Sequence, residues 1–189
     1  MLDAIERDPA LFAICAQDCS ENDVWVRISA ELCRDGELND ERIKILKVDR
    51  HYSSKNFASP PKSIDCLVVV KCDSGCFELT LIELKDVSSI ARIIPRDILE
   101  KFRVTIARFM GEDFAFVFDN PAYEISAIRA WLVSDPFNLS HLPDEVYRRK
   151  IGTSRLKVFQ SARAFVFRGH LILIEMRRPR PPEPEIQGC

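Results

Sequence analysis

Two strand-like runs joined by a short turn constrain this chain more than any other feature of its sequence. Residues 64–71 (IDCLVVVK) and 76–85 (CFELTLIELK) are rich in β-branched and apolar residues, and Cys72-Asp73-Ser74-Gly75 between them is a tight-turn signal. The loop length decides which side chains meet. A two-residue loop at Asp73-Ser74 sets Asp65 opposite Ile82, so Asp65 and Glu83 face opposite sides. A three-residue loop, Asp73-Ser74-Gly75, sets Asp65 directly opposite Glu83. Gly75 at the third loop position suits the left-handed residue of a type I turn with a G1 bulge, so the turn chemistry favours the second register.

That register has a chemical consequence. Directly opposed residues have Cβ atoms about 4.5–5.5 Å apart, and like charges in that position destabilise a sheet. A hard divalent cation between the two carboxylates removes the penalty, and Mg²⁺ commonly binds through one or two carboxylates with water and phosphate completing its octahedron. Lys85 follows Glu83 by two residues and shares its face, because side chains alternate along a strand. Glu83-Leu84-Lys85 therefore ends an apolar strand with a charged pair on one side.

Around this hairpin the pattern reads as follows. Residues 2–18 are helical in spacing, with a restart at Asp8-Pro9: Asp8 as N-cap and Pro9 at the first helical position. Residues 21–34 fit two templates. Val24, Ile28 and Leu32 recur every four residues behind a Ser20-to-Asp23 capping signal, while Val24, Val26 and Ile28 alternate as in a strand. A helix is expected there. Residues 42–49 read as a strand and 50–62 as a polar, Pro-containing loop. Ile98, Phe102, Ile106 and Phe109 predict a helix over 96–110. Residues 114–118 and 125–133 read as strands about an Asn120-Pro121 turn, 135–143 as loop, and 155–160 and 163–175 as further strands. The expected fold class is α/β: a mixed central β-sheet flanked by helices, with an α-β-β-β-α-β core. One domain spans 1–178, with its core at about 20–135 and a C-terminal β extension over 136–178. A Pro-rich flexible tail follows at 179–189.

The order Pro60-Pro61-Lys62-Ser63-Ile64-Asp65, then Glu83-Leu84-Lys85, then the 96–110 helix resembles the PD-(D/E)XK nuclease superfamily, the restriction-endonuclease-like fold. The resemblance covers about residues 20–135. It implies a metal-dependent nuclease that hydrolyses phosphodiester bonds of nucleic acid, DNA foremost, by a metal-activated water. Asp65, Glu83 and the Leu84 carbonyl would then hold Mg²⁺ or Mn²⁺, and Lys85 would orient or activate the attacking water. The family often adds a Glu on the first core helix, for which Glu31 is the candidate. It also often adds a basic residue on the helix after the motif, for which Lys101 is the candidate. The other reading is a catalytically inactive nuclease-like domain that binds nucleic acid or a protein partner.

Charge supports a polyanionic partner. The 189 residues carry a net charge of −2, but the distribution is lopsided. Residues 1–41 hold eleven acids against three bases, and residues 146–180 hold ten bases against one acid. Arg148, Arg149 and Lys150 are the candidate phosphate contacts. The chain shows no separate recognition domain, which points to structure-dependent recognition, a homodimer or a partner subunit. No apolar run approaches the length of a membrane span, and no basic segment leads into an apolar core at the start, so no membrane partner is expected. Seven cysteines without such a leader predict a reducing, cytoplasmic setting. Cys15-x₃-Cys19 and Cys72-x₃-Cys76 could form half-sites for zinc or an iron–sulfur cluster, but the spacing is not that of a zinc knuckle, and Cys72 and Cys76 read instead as cross-strand neighbours. His51, His141 and His170 are scattered and form no metal-ligand spacing.

Overall fold

The computed structural model describes residues 1–53, 57–139, 142–179 and 184–189. Parts of the 50–62 and 135–143 loops, His141 and the proline-rich residues 180–183 lie outside the described residues. The chain forms a mixed α/β fold around a six-stranded sheet built from β1 (Cys15–Ala16), β2 (Ile43–Lys47), β3 (Cys66–Lys71), β4 (Phe77–Lys85), β5 (Ile125–Ser134) and β6 (Ile174–Arg177), which lie side by side in chain order. The first four strands pair antiparallel, and β5 and β6 are added parallel. Parallel neighbours need long crossovers. The β4–β5 crossover contains α2 (Pro95–Val104) and the β5–β6 crossover contains α3 (Asp144–Gly152); α1 (Leu2–Arg7) precedes the sheet.

The β3–β4 turn has the three-residue form. Cys66 pairs with Ile82 and Lys71 with Phe77, a register that leaves Asp73, Ser74 and Gly75 in the loop. The Gly75 amide donates to the Cys72 carbonyl, the Cys72 amide donates to the Cys76 carbonyl, and Gly75 has φ +90°. Continued by one pair, this register sets Asp65 opposite Glu83.

Both faces of the sheet are covered, so β2, β3 and β4 are buried almost throughout. One face presents Leu67, Val69, Leu79 and Leu81 to Ile98 and Phe102 of α2, to Ile106 and Phe109 beyond it, and to Leu2 and Ile5 of α1. The opposite face presents Val68, Val70, Ile82 and Leu84 to Val24, Val26, Leu32 and Ile186. This second layer corrects the helix expected over 21–34. Cys19–Glu21 and Val24–Ile28 form an antiparallel hairpin, and Ala30–Leu32 is a single 3₁₀ turn. The residues that resembled a cap are the hairpin turn: Asn22 has φ +51°, a turn conformation, and Val24 and Val26 are buried while Trp25 and Arg27 face outward. Period two wins because the surface being covered is a flat sheet face.

Other local expectations change for similar reasons. The N-terminal helix is short: Asp8 does cap a restart, accepting from the Ala10 and Leu11 amides, but Pro9–Phe12 gives way to β1. Residues 114–118 are helical rather than extended. α2 continues as a π-helix over Thr105–Asp113, and Ala115–Phe118 adds one more turn, burying Val117 and Phe118 while Phe116 faces solvent. The strand expected over 155–160 is helical too, because the Ser154 hydroxyl caps the Leu156 amide and Leu156 and Phe159, three apart, are both buried. With α3 before it, the C-terminal extension is mixed rather than all-β. The tail is partly fixed: Glu185–Ile186 adds to Val24–Ile28 as a parallel strand.

Cys72–Cys189 and Cys19–Cys66 are disulfides. Cys72 and Cys76 do share a cross-strand position, yet neither suggested cysteine half-site forms, since the bonded partners come from other segments.

Gly75 is the residue on which the register turns. Gly75→Ala should cost about 1 kcal/mol through its positive φ, measured as a lower urea midpoint with an unchanged slope.

Candidate active site

Three hydrogen bonds fix Asp65, two on the backbone and one on its side chain. The Val48 amide donates to the Asp65 carbonyl, extending the β2–β3 ladder past its end. One residue earlier, the Ile64 amide donates to Thr105 Oγ1 at 3.2 Å, and Thr105 is fully buried where α2 passes into the π-helix. On the far side, the Leu84 amide donates to Asp65 Oδ2 at 2.6 Å. The Asp65 side chain thus takes the place of the next rung between β3 and β4. A strand residue turns its N–H and C=O to the same edge, so the Leu84 carbonyl faces the Asp65 side as well.

Glu83 is the centre of the group. It has no solvent exposure. Its Oε1 receives the Lys85 ammonium at 2.7 Å and the Lys101 ammonium at 2.7 Å, and Lys101 Nζ also lies 3.9 Å from Asp65 Oδ1. Its Oε2 is buried and has no hydrogen-bond partner. Burial pushes the Glu83 carboxyl up to about 7, and repulsion from Asp65 adds to this against the opposing pull of Lys101 and Lys85. For Lys85, burial works against the charge, but Glu83 with its hydrogen bond, Asp65 and Glu21 outweigh it, and its pKa is raised. Lys85 is therefore an ammonium at neutral pH. Lys101 reaches the site because α2 buries Ile98 and Phe102 against the sheet and so turns Lys101 toward the end of β4.

Two further carboxylates belong to this end of the sheet. Asp49, in the turn of helix after β2, and Glu21, at the end of the outer hairpin's first strand, are both solvent-exposed, and their pKa values are raised first by partial loss of solvent and then by the negative charge of Asp65. Lys85 and Lys101 act on Glu21 in the opposite sense. The alternation of Val24 and Val26 was the available signal for Glu21, since a hairpin centred on Asn22-Asp23 carries residue 21 to its tip. Asp49 had no signal, being one charged residue in a polar stretch. Glu31 is not part of the group: it is exposed, in the 3₁₀ turn, and its Oε1 accepts from the Gly188 amide at 2.6 Å. Arg148, Arg149 and Lys150 are all exposed on α3, where Arg148 pairs with Asp144. That helix is tied to the site end of the sheet, because Tyr147 Oη donates to the Ser134 carbonyl and Ser134 Oγ donates to the Lys85 carbonyl.

The group lies at the carboxyl ends of the parallel strands β4 and β5, where open α/β sheets hold their ligands. A cavity of about 1040 Å³ lies elsewhere, between the opposite sheet face and residues 184–189. The arginines Arg27, Arg129 and Arg177 on its walls are already paired with Glu185, Glu78 and Glu175. The donor set at the site fits a hard divalent cation: two carboxylates, one with an unpartnered buried oxygen, and a carbonyl on the same side. No family model, no curated protein and no solved structure matches this chain. Among the described residues no helix is long and apolar enough to cross a membrane.

The raised Glu83 pKa makes a testable statement about stability. The folded state holds the Glu83 proton more tightly than the unfolded chain does, so this group's contribution is complete below about pH 4.5 and is lost as pH rises through about 7. In metal-free buffer, Glu83→Gln should gain on the wild type by about 1–3 kcal/mol between pH 4.5 and pH 8, read from urea melts at each pH. Asp65, Lys101 and Lys85 are the charges acting on it, and they are retained in the variant.

Proposed function

We propose that this chain is a Mg²⁺- or Mn²⁺-dependent nuclease that hydrolyses phosphodiester bonds of nucleic acid, DNA foremost. The observation that carries the proposal is the buried Glu83 carboxylate with an unpartnered oxygen, set beside Asp65 and met by two lysines. A lone ion pair would not bring two lysines to the same buried oxygen. Asp65, Glu83 and the Leu84 carbonyl are the residues that would hold the cation. When bound, the cation supplies Lewis acidity, lowering the pKa of a coordinated water and stabilising charge on the phosphoryl oxygens.

The remaining roles follow from the chain's own groups. Lys85, held protonated by its carboxylate neighbours, cannot serve as the base that takes the proton from water. It donates hydrogen bonds, orienting a nucleophile or stabilising charge on a phosphate oxygen. Lys101 holds Glu83 Oε1 from the helix side and adds a second positive charge to a site that must accept an anion. The exposed bases of α3, linked to the Lys85 strand end through Tyr147 and Ser134, are the proposed contacts to the phosphate backbone. A cytoplasmic setting, expected from the cysteine count, sits uneasily with two disulfides, which persist in oxidising surroundings.

The test is cleavage of single-stranded, duplex and branched DNA and RNA with Mg²⁺ or Mn²⁺, compared across two variants. Lys85→Ala should lose about 100-fold or more in cleavage rate while retaining Mn²⁺ binding by calorimetry. Asp65→Ala should lose both, because a ligand is gone. Wild-type-like cutting by Lys85→Ala would show that the activity comes from elsewhere. A wild type that binds Mn²⁺ and nucleic acid but cuts no substrate is instead the non-catalytic, nucleic-acid-binding domain.

The charge argument has its own measurement. Binding should weaken steeply with salt, and replacing Arg148, Arg149 and Lys150 together by Ala should reduce the slope of log K against log salt by up to about 2–3. An unchanged slope would reduce these three residues to a solvated helix face.

A further inference from the structure

Residues 184–189 return to the sheet face opposite the helices, and three ties place Cys189 there apart from its sulfur. Glu185–Ile186 pairs with Arg27 and Ile28, the Gly188 amide donates to Glu31 Oε1 at 2.6 Å, and the Asp73 amide donates to the Cys189 carbonyl at 2.9 Å. Cys72 is fixed independently, because the β3–β4 turn engages both its amide and its carbonyl. Glu78 pairs with Val70, two residues before Cys72, so the Glu78 and Cys72 side chains stand on one face of the sheet. The Cys72 sulfur, the Cys189 sulfur and a Glu78 carboxylate oxygen lie within 4.8 Å of one another, and no other three such groups gather as closely among the described residues. Cys72 and Cys189 are joined as a disulfide. Cys189 is exposed, whereas Cys19 and Cys66 are both fully buried, so a reductant reaches the Cys72–Cys189 bond first.

We propose that Cys72, Cys189 and Glu78 form a Zn²⁺ site when this disulfide is reduced, with water at the fourth position, so that the metal takes over from the covalent bond in holding residues 184–189 on the sheet. Two thiolates with one carboxylate select Zn²⁺ over Mg²⁺, whose preference is for oxygen alone. The three ligands leave the ion one negative charge in excess, and the Arg129 guanidinium, which donates to both Glu78 oxygens, cancels it. A carboxylate has lone pairs enough to keep an Arg129 hydrogen bond while it binds the metal, and such an outer partner orients the ligand. The redox step balances with a dithiol as reductant. The dithiol supplies two electrons and two protons and closes to its own disulfide, the Cys72–Cys189 bond opens to two thiols, and Zn²⁺ displaces both thiol protons to solvent. In a reducing compartment, where the disulfide would not last, the same two sulfurs would still fasten the tail. This site shares no residue with the Asp65–Glu83 group and stands whether or not that group cuts nucleic acid.

The experiment uses the full chain, reduced with a water-soluble phosphine, freed of metal and titrated with Co²⁺ and then Zn²⁺. Co²⁺ reports its ligands, because a bound thiolate gives a charge-transfer absorption band that a carboxylate site such as Asp65–Glu83 lacks. The reduced wild type should develop this band, Zn²⁺ should remove it by displacement, and the oxidised protein should show none. Cys72→Ser and Cys189→Ser should each abolish it. Glu78→Gln should weaken binding about 10-fold or more, since losing a ligand costs at least as much as losing an outer partner. Cys76→Ser should leave the band unchanged, because the Cys76 sulfur lies against Ser74 Oγ at 3.1 Å. The Arg27 and Ser29 amides donate to the Pro184 and Ile186 carbonyls; their hydrogen exchange should quicken on reduction with a chelator present and slow again with Zn²⁺. A reduced wild type without the band, or a band that survives Cys189→Ser, overturns the site. Binding unaltered by Glu78→Gln, or a band lost in Cys76→Ser, overturns this ligand set. Exchange that stays fast with Zn²⁺ bound overturns the metal's hold on the tail.

Discussion

A carboxylate deprived of water at the end of a β-strand organises this structure. Burying Glu83 costs free energy unless its charge is matched, and the β3–β4 register makes matters worse by setting Asp65 opposite. Two features answer that cost. α2 must lie at the height that delivers Lys101, and β4 must end where Lys85 can fold back on the same oxygen. Thr105, at the junction of α2 with the π-helix, then holds the Ile64 amide and so the approach to Asp65. Helix, hairpin and loop are thus placed relative to one another by polar demands at a single point, while the apolar layers on both sheet faces supply the stability that allows an unfavourable group to persist there.

The part of this arrangement carried by local rules was legible in the sequence. Gly75 required a left-handed turn residue, that turn implied the three-residue loop, and the loop implied the Asp65–Glu83 register. Lys101 followed from its place beside the Ile98 and Phe102 stripe. What escaped was decided by tertiary context. The segment 21–34 satisfies helical and extended templates almost equally, and the flat sheet face it covers selects the extended one. Residues 114–118 and 155–160 have apolar compositions suited to strands, yet they continue or follow helical turns whose hydrogen bonding makes another turn cheaper than a new strand. Glu21 was hidden by the same ambiguity, because only a hairpin brings residue 21 to the end of the sheet. The disulfides join cysteines 47 and 117 residues apart, a relation that spacing does not reveal.

The two faces of the sheet are secured in different ways. Helices cover one face with a continuous aromatic and aliphatic core in which Phe102, Phe109 and Phe118 are fully buried. The other face is covered by a short hairpin, a 3₁₀ turn and a two-residue strand, elements too small to hold by apolar area alone. Each is fastened at a specific point: Cys19 to Cys66, Cys72 to Cys189, and the Gly188 amide to Glu31. Thin layers held by point attachments open more readily than thick ones held by area, and the candidate site lies where the thin layer meets the thick one.

The pairing of Glu185–Ile186 with Val24–Ile28 also sets an order of assembly. Gly188 and Glu31 are 157 residues apart in the chain, and the strand beside them joins segments just as distant. Contacts of that span close last, because the loop entropy must be met before any of them forms. The β2–β3–β4 meander, its helices and the N-terminal hairpin can collapse around earlier contacts, while the part of the outer layer held by Ile186 waits for that residue to leave the ribosome. Until then the apolar face of Val68, Val70 and Ile82 is covered by Val24, Val26 and Leu32 alone, and the nascent chain carries its aggregation hazard on the side opposite its helices.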